Sequence, residues 1–144
     1  MKKTVAYYRN SSDNYQENSI KMQENQAKEY SVSNALPIHK VYKDDNTSAI
    51  KFGINDRKGL THLLEDIKNG RVENLLVYKR DRLARKSEEY MKIYEILKEH
   101  KVRVHFTSAS EYPMSYNNLS EFIELILSGM VEHEVKQMKE RISH

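Results

Sequence analysis

Short strand-forming runs that alternate with segments of helical periodicity constrain the fold of this chain more than any other feature. Four runs are apolar and rich in residues that favour β-strands, at residues 4–8, 38–42, 75–78 and 102–107. Between them, helical spacing marks residues 20–30, 60–67 and 91–97. This alternation predicts an α/β domain with a mostly parallel central sheet flanked by helices.

Length and composition narrow the class of protein. The 144 residues suffice for one domain with a substantial core. The chain contains no cysteine, which excludes disulfide bonds and thiolate metal sites. No stretch approaches the roughly 20 apolar residues of a membrane span, so we predict a cytoplasmic protein without a membrane partner. The net charge of only +3 is weak support for a polyanionic partner, and the positions of the charges matter more.

Polar residues follow the first and third predicted strands and form a candidate site. They are Arg9, Ser11 and Ser12 after the first strand, and Asp81, Arg82 and Arg85 after the third. Because parallel strands end at one edge of a sheet, and ligands bind there, we expect the two loops to be neighbours. Arg57 precedes a predicted helix and joins the group, since the first turn of a helix favours anions.

Several guanidinium groups beside a hydroxyl suit a phosphate group. Arginine presents a planar fork of donors that matches phosphate oxygens, and phosphoryl transfer depends on positioning and electrostatic stabilisation. A serine hydroxyl can be the nucleophile if another group takes or shares its proton. No histidine adjoins Ser11 or Ser12, so Asp81 is the nearest candidate acid or base. A solvated basic surface with a Ser-Ser turn remains the alternative interpretation.

Residues 117–144 are expected to form one long helix with two apolar stripes. The first stripe consists of Leu119, Phe122, Ile123, Ile126 and Met130. The second consists of Leu127, Val131, Val135, Met138 and Ile142. We predict that the first stripe packs on the chain's own core. The second continues past the end of the first, and we predict that it mediates dimerisation.

Five short motifs occur in a fixed order along the chain. They are "YYRNSS" at residues 7–12, "SIKMQ" at 19–23, "DRKGL" at 56–60, "DRLAR" at 81–85 and "EHEVKQMKERIS" at 132–143. Together they resemble the catalytic domain of the serine recombinases, the resolvase and invertase family, over essentially the whole chain. The resemblance implies a resolvase-like α/β fold with a long C-terminal dimerisation helix. The spacing between Ser11 and the second motif is similar to that of transposon-type and large, phage-type members.

The resemblance also implies roles for individual residues. Ser11 is the expected nucleophile. Further catalytic roles are expected for Arg9, Gln23, Arg57, Asp81, Arg82 and Arg85. DNA contacts are expected from Arg80, Lys136, Lys139 and Arg141. Enzymes of this family cut DNA through a 5′-phosphoserine link, exchange strands within a tetramer and rejoin them, with no high-energy cofactor and no obligatory metal.

The expected organisation is a catalytic domain at residues 1–116 followed by an oligomerisation helix at residues 117–144. Nothing after that helix resembles a module that reads DNA sequence, so we expect a catalytic fragment of a longer recombinase or a natural truncation. The partners implied by the resemblance are DNA and further copies of the chain, as a homodimer and as a synaptic tetramer. No small-molecule substrate is expected.

Two other classes of function stay open at this point. One is a non-catalytic DNA-binding or oligomerisation module of the same fold. The other is a metal-dependent nuclease, which needs converging carboxylates to hold Mg²⁺. Asp44, Asp45 and Asp81 are the candidates for such a site, although the arginines around Asp81 oppose metal binding.

Overall fold

The computed structural model describes residues 2–10, 19–45 and 57–143, and within the last range the side chains of 138, 139 and 141–143 lie outside the description. The strands are β1 (Lys3–Arg9), β2 (Lys40–Asp44), β3 (Val72–Val77) and β4 (Arg103–Phe106). The helices are α1 (Ile20–Ser33), α2 (Lys58–Lys68), α3 (Arg80–Leu83), α4 (Ser87–Glu99) and α5 (Ser120–Ser143). The predicted alternation of strands and helices is confirmed.

The four strands form one parallel sheet in the order β2-β1-β3-β4. After β1, the chain therefore forms β2 on one side of β1 and then crosses over to form β3 on the other side of β1. Such a reversal of strand order opens a crevice at the carboxyl ends of the two central strands, which is where α/β proteins bind ligands. Arg9 ends β1, and α3 begins three residues after β3 ends, so the candidate site lies at this reversal.

Each face of the sheet is covered by helices, and successive residues of β1 pack into the cores on opposite faces. On one face, Val5 and Tyr7 join the larger core, to which α2 and α4 contribute. On the other face, Ala6 and Tyr8 pack near Ala27 of α1. Because both faces are covered, β1 is buried along almost its whole length, and its position in the sheet is fixed where it enters the site.

The predicted orientation of the long helix is wrong. Most of the first stripe faces outward, with Phe122 63% exposed and Met130 56% exposed. In the second stripe, the described residues Leu127, Val131 and Val135 are half-buried. The innermost residues of α5 are polar, namely Ser120, Glu124 and Ser128. The interior of the domain supplies polar partners for them, so α5 turns its most apolar side away from its own core.

Among the described residues, no helix combines the length and the apolar character needed to cross a membrane.

Candidate active site

The end of β1 is held in place by a side chain from α1. Gln23 is buried, and its Oε1 accepts a hydrogen bond from the Arg9 amide at 3.2 Å while its Nε2 donates to the Arg9 carbonyl at 2.8 Å. Both polar atoms of the amide are therefore bound to the backbone of one residue. Gln23 thereby fixes the direction in which the chain leaves β1 towards the predicted nucleophile, Ser11.

The short helix α3 is the centre of the site. Arg9, at the end of β1, donates from Nη2 to the carbonyl of Asp81 at 2.7 Å and from Nε to that of Arg82 at 3.1 Å. Arg82 returns a bond from Nη1 to the Arg9 carbonyl at 3.0 Å. A helix of four residues leaves its carbonyls without partners within the helix, and guanidinium groups fill these positions. The ends of β1 and β3 are locked together as a result.

Arg57, at the start of α2, approaches the same carbonyls from a third direction. It donates from Nη1 to the Leu83 carbonyl at 2.6 Å and from Nη2 to the Arg82 carbonyl at 2.8 Å. Nη2 also donates to the Tyr7 hydroxyl. Arg9, Arg57 and Arg82 are each no more than 1% exposed, and we call these three buried arginines the cradle. Three separate elements of the sequence thus converge as predicted.

Asp44, at the end of β2, orients Arg57 without being part of the predicted site. Its Oδ1 accepts from the Gly59 amide at 2.8 Å, and its Oδ2 accepts from the Leu60 amide at 2.9 Å and from the Tyr7 hydroxyl at 2.7 Å. The carboxylate therefore caps α2 in place of the usual N-cap side chain and holds the hydroxyl that meets Arg57.

Gly59 permits this close approach of α2 to β2. A Cβ atom at position 59 would lie only 2.4 Å from the carbonyl oxygen of Lys43, and that backbone cannot move without displacing the sheet. The "DRKGL" motif thus combines an arginine of the cradle with the glycine that lets its helix start against the sheet. The sequence offered a signal for Asp44 in the acidic pair that follows the second strand, but not for its partners.

Asp81 is the counter-charge of Arg82. Its two oxygens accept from Nε and Nη2 of Arg82 at 3.0 and 3.1 Å, and its side chain is 30% exposed. Burial raises the pKa of Asp81, but the neighbouring Arg82, Arg9 and Arg85 outweigh this effect, so the pKa lies below its usual value. Asp81 is therefore ionised at neutral pH, and a strong tendency to take up a proton is not expected of it.

Counted over the described residues alone, the cradle has more positive than negative charge around it. Its three guanidiniums lie beside two carboxylates, Asp81 and Asp44, and the Arg57 Nε is 3.9 Å from the latter. Burial and the charges of Arg82, Arg57 and Arg85 all lower the pKa of Arg9. The carbonyl oxygens of Asp81 and Arg82 orient the Arg9 guanidinium and bring no net charge of their own. An anion that entered beside these groups would restore the balance.

The remaining predicted residues fall into three groups. Ser11 and Ser12 lie outside the described residues. The last described residue before them is Asn10, which directly follows Arg9 of the cradle. Arg85 is half-buried and close enough to influence both Arg9 and Asp81. Lys136 is exposed on α5. The side chains of Lys139 and Arg141, both also predicted to contact DNA, lie outside the description.

The prediction that Arg80 contacts DNA needs correction. Its side chain is 1% exposed and forms ion pairs with Glu124 of α5 and Glu111 of the preceding loop. Its charge is used inside the domain. The sequence showed a cation next to the site but not the two carboxylates that face it, which lie 31 and 44 residues away.

The alternative of a metal-dependent nuclease gains no support from the described carboxylates. Asp44 is occupied by two amides and a hydroxyl, and Asp81 by a guanidinium. Within residues 2–10, 19–45 and 57–143, no group of three or more His, Asp and Glu side chains converges as a cation site requires.

Comparison with known proteins agrees with this arrangement. The sequence matches the family defined by the resolvase N-terminal domain over residues 4–144. The chain belongs to the resolvase family. The match extends through the helix α5 as well as the sheet. A search of curated proteins gave no significant match.

Solved structures show the fold of this resolvase-family chain in other proteins. The N-terminal catalytic domain of TP901-1 integrase is 23% identical with a TM-score of 0.70, covering 94% of this chain and 98% of that one. A resolvase-family site-specific recombinase from Streptococcus pneumoniae is 22% identical with a TM-score of 0.68, covering 99% and 97%. The C-terminal catalytic domain of ISC1926 TnpA, an IS607-like serine recombinase, is 21% identical with a TM-score of 0.64, covering 99% of each chain.

Proposed function

We propose that this protein is a serine-type site-specific DNA recombinase that cuts and rejoins DNA through a covalent 5′-phosphoserine intermediate. The observation that carries the proposal is the cradle of Arg9, Arg57 and Arg82, buried at the carboxyl ends of β1 and β3. One of its members, Arg9, stands two residues before Ser11 in the sequence. The membership of the resolvase family supports the same reaction class.

The cradle is suited to a phosphodiester because its positive charges are fixed in place before the substrate arrives. Negative charge develops on the non-bridging oxygens during phosphoryl transfer, and fixed charges stabilise it without having to reorganise. The backbone carbonyls that fix the direction of Arg9 and Arg57 bring no net charge of their own, whereas the Asp44 carboxylate, 3.9 Å from Arg57 Nε, offsets part of the charge of Arg57.

In the proposed reaction, the Ser11 Oγ attacks the scissile phosphorus and forms a P–O bond. The bond from phosphorus to the 3′ oxygen breaks, the serine hydroxyl gives up its proton and the departing 3′ oxygen takes one up, which leaves a free 3′ hydroxyl on one DNA end and a phosphoserine link to the 5′ end. One phosphodiester replaces another, so no external energy source is needed. Rejoining is the same step in reverse, with a 3′ hydroxyl as the attacking group. Asp81 is assigned the role of orienting Arg82, and Gln23 is assigned the role of holding the end of β1 in place.

Oligomerisation is proposed through the outward apolar side of α5. Leu119, Phe122, Ile126 and Met130 lie on one side of the helix, and all four are exposed. Burying each large side chain is worth about 1.5–3 kcal/mol before the cost of association. We assign this side of α5 to a homodimer and, in the synaptic complex, to a tetramer. The polar end of the helix, with Lys136, Lys139 and Arg141, is assigned to DNA.

Covalent trapping tests the proposed reaction. The chain is incubated with a pool of random DNA duplexes in EDTA, and protein attached to DNA ends is isolated under denaturing conditions and mapped by mass spectrometry. We expect a phosphodiester link between Ser11 and a 5′ DNA end. Ser11→Ala should abolish the adduct, whereas the matched variant Ser12→Ala should retain it.

Three results would contradict the proposal in different ways. Loss of the adduct in Ser12→Ala alone would move the nucleophile by one residue. Cleavage that requires a divalent cation and leaves no attached protein would indicate a metal-dependent nuclease. Binding of DNA without any adduct would indicate a non-catalytic module of the same fold.

A further inference from the structure

The inward side of α5 is a row of polar residues at intervals of four. Ser120, Glu124 and Ser128 are buried, and Glu132 continues the row. Ser128 Oγ lies 2.9 Å from Ser87 Oγ, and Glu132 Oε1 accepts from the Ser87 amide at 2.7 Å. Helices usually turn an apolar side towards their own domain. The polar row indicates that directional contacts, rather than apolar packing alone, define where α5 sits.

The contact at the centre of this row joins α5 to α3. Arg80 donates from Nε to Glu124 Oε1 at 2.7 Å and from Nη2 to Glu124 Oε2 at 2.6 Å. The two side chains are 1% and 2% exposed. A planar fork of two donors facing two acceptors fixes both distance and angle, so a shift or rotation of α5 at Glu124 is transmitted to Arg80.

Surrounding groups hold the Arg80–Glu124 pair from the other sides. The Tyr90 hydroxyl of α4 donates to Glu124 Oε1 at 2.6 Å. Arg80 Nη1 donates to Glu111 Oε1 and to the Tyr112 carbonyl, both at 2.6 Å. The guanidinium carbon lies 4.6 Å from the centre of the Phe106 ring. Arg80 is thus held on several sides by groups that do not belong to the cradle.

The backbone of the same short helix forms part of the cradle. The residues that follow Arg80 directly are Asp81 and Arg82, whose carbonyls receive Arg9, while the Arg82 and Leu83 carbonyls receive Arg57. With only four residues, α3 cannot move at one end without moving these carbonyls. One rigid turn of helix therefore connects the Arg80–Glu124 pair to two arginines of the cradle.

We propose that Arg80 and Glu124 are a positioning pair that makes the geometry of the cradle depend on the position of α5 against the rest of the domain. Neither residue touches the cradle's guanidiniums in the described contacts, and their effect passes through the backbone of α3. The proposal rests on the proposed function only in treating the cradle as the phosphate site. Replacing a buried ion pair by apolar residues of similar volume is often neutral or stabilising. Stability alone therefore does not explain why the inward side of α5 is polar, whereas a positioning role does.

Nuclear magnetic resonance of the arginine Nε–Hε groups tests this coupling on the full chain without DNA. The chain is labelled with ¹⁵N-arginine, and the Arg9 and Arg57 signals are followed in the wild type and in Glu124→Gln. We expect both signals to shift in the variant, although neither arginine contacts Glu124. Titration with inorganic phosphate is expected to show affinity at the cradle reduced about tenfold, within the usual range of coupling between two sites.

A double variant separates positioning from stability. In Arg80→Met with Glu124→Leu, the two facing charges are removed together and the volume is retained, while Glu111 keeps partial access to water and the Tyr90 hydroxyl loses an acceptor, so urea unfolding is expected only modestly below the wild-type midpoint. The Arg9 and Arg57 signals should nevertheless differ from those of the wild type, and phosphate affinity should remain low. This variant decides the question if Glu124→Gln fails to fold.

Ser128→Ala is the matched control, since it removes a contact between α4 and α5 that does not involve α3. Its Arg9 and Arg57 signals should match those of the wild type. A double variant with wild-type signals and wild-type phosphate affinity would overturn the proposal and leave the pair a purely stabilising role. Absence of phosphate binding or of a DNA adduct in the wild type would instead count against the proposed function, and the signals alone would then decide the coupling.

Discussion

At the scale of single residues, the site depends on backbone carbonyls and on a few polar side chains that hold the arginines. Asp44 shows this most directly, because one carboxylate caps α2 and holds the Tyr7 hydroxyl against Arg57. Burial raises the pKa of Tyr7, and the neighbouring Asp44 carboxylate adds to this effect. The hydroxyl therefore stays protonated and can donate to Asp44 while it accepts from Arg57.

Asp44→Ala is expected to destabilise the fold by about 2–3 kcal/mol. Loss of a helix cap costs roughly 1 kcal/mol, and buried donors left without an acceptor add a comparable amount. Urea unfolding followed by circular dichroism measures the change. Asp45→Ala, at the adjacent exposed position, is the control and should change stability by less than about 0.5 kcal/mol. Equal effects at both positions would contradict the cap assigned to Asp44.

Arg57→Lys is expected to slow formation of the DNA adduct by about 10²-fold, the usual effect of removing one donor that stabilises the transition state. A single ammonium group cannot reproduce the fork that reaches two carbonyls and a hydroxyl. DNA binding should change little, since the charge is retained. Single-turnover rates of adduct formation provide the measurement. The exposed Arg71→Lys serves as the control, and a normal rate in Arg57→Lys would show that only the charge matters.

At the scale of secondary-structure elements, α1 is held by a polar network as well as by its two buried residues, Gln23 and Ala27. The Tyr30 hydroxyl lies 2.9 Å from Nδ1 of His105 on β4, and Nε2 of His105 lies 2.9 Å from Oδ1 of Asn74 on β3. An amide oxygen only accepts, so Nε2 donates and Nδ1 accepts from Tyr30. This neutral form of His105 suits both neighbours, and protonation would remove the acceptor that Tyr30 uses.

The network predicts a pH-dependent stability. Burial lowers the pKa of His105, and the nearby Arg103 lowers it further. The unfolded chain therefore binds a proton at His105 at higher pH than the folded chain does. This contribution to stability is complete above a pH of about 6.5, the ordinary histidine value, and is lost as the pH falls towards the folded pKa.

Melting temperatures between pH 5 and pH 8 test the predicted direction of this pH dependence. The wild type should be more stable at the upper end, and His105→Gln should show a smaller slope because Gln does not titrate. A control variant at the exposed His39 should keep the wild-type slope. A melting temperature that rises as the pH falls through 6 would contradict the assignment of a neutral His105.

The elements themselves were largely predictable from the sequence, and the exceptions have physical reasons. Strand-forming runs and helical periodicity are local, so the order of β1 to β4 and the main helices followed from them. The helix α3 was missed because four residues are too few to show a period. The orientation of α5 was inverted because Glu124 counts as a surface residue in any periodicity argument. Its burial is made favourable by the distant Arg80 and by the Tyr90 hydroxyl.

The candidate site was predictable in part for a similar reason. Arg9, Arg57 and Arg82 follow strands or precede a helix, so the topology of an α/β sheet brings them together. Their partners are mostly backbone carbonyls, which no sequence pattern reveals. The roles of Asp44 and Glu124 in the structure became apparent only through contacts to residues 15 to 44 positions away.

At the scale of the whole molecule, the exposed apolar side of α5 determines how the chain is expected to associate. Phe122→Asp with Ile126→Asp should give a folded monomer, because both side chains point away from the domain. The wild type should form dimers at micromolar concentration or above. Sedimentation velocity over a concentration series distinguishes the two.

Val131→Asp provides the contrast, because this residue is half-buried on the opposite side of the helix. It should lower stability without specifically abolishing association. A wild type that remains monomeric at high concentration, or a Phe122–Ile126 double variant that unfolds, would show that the outward stripe serves some other contact.

The surplus of buried positive charge in the cradle has a consequence for the protein in the absence of DNA. Charges gathered away from water repel one another in the folded state and are relieved when the chain unfolds, so the feature proposed to grip a phosphate also weakens the free protein. An anion that binds only the folded form should recover this loss by mass action. Sulfate should therefore raise the melting temperature more than chloride at equal ionic strength, and Arg9→Met should reduce that difference. The folded protein is then expected to reach its highest thermal stability only while a phosphate of its DNA substrate occupies the cradle.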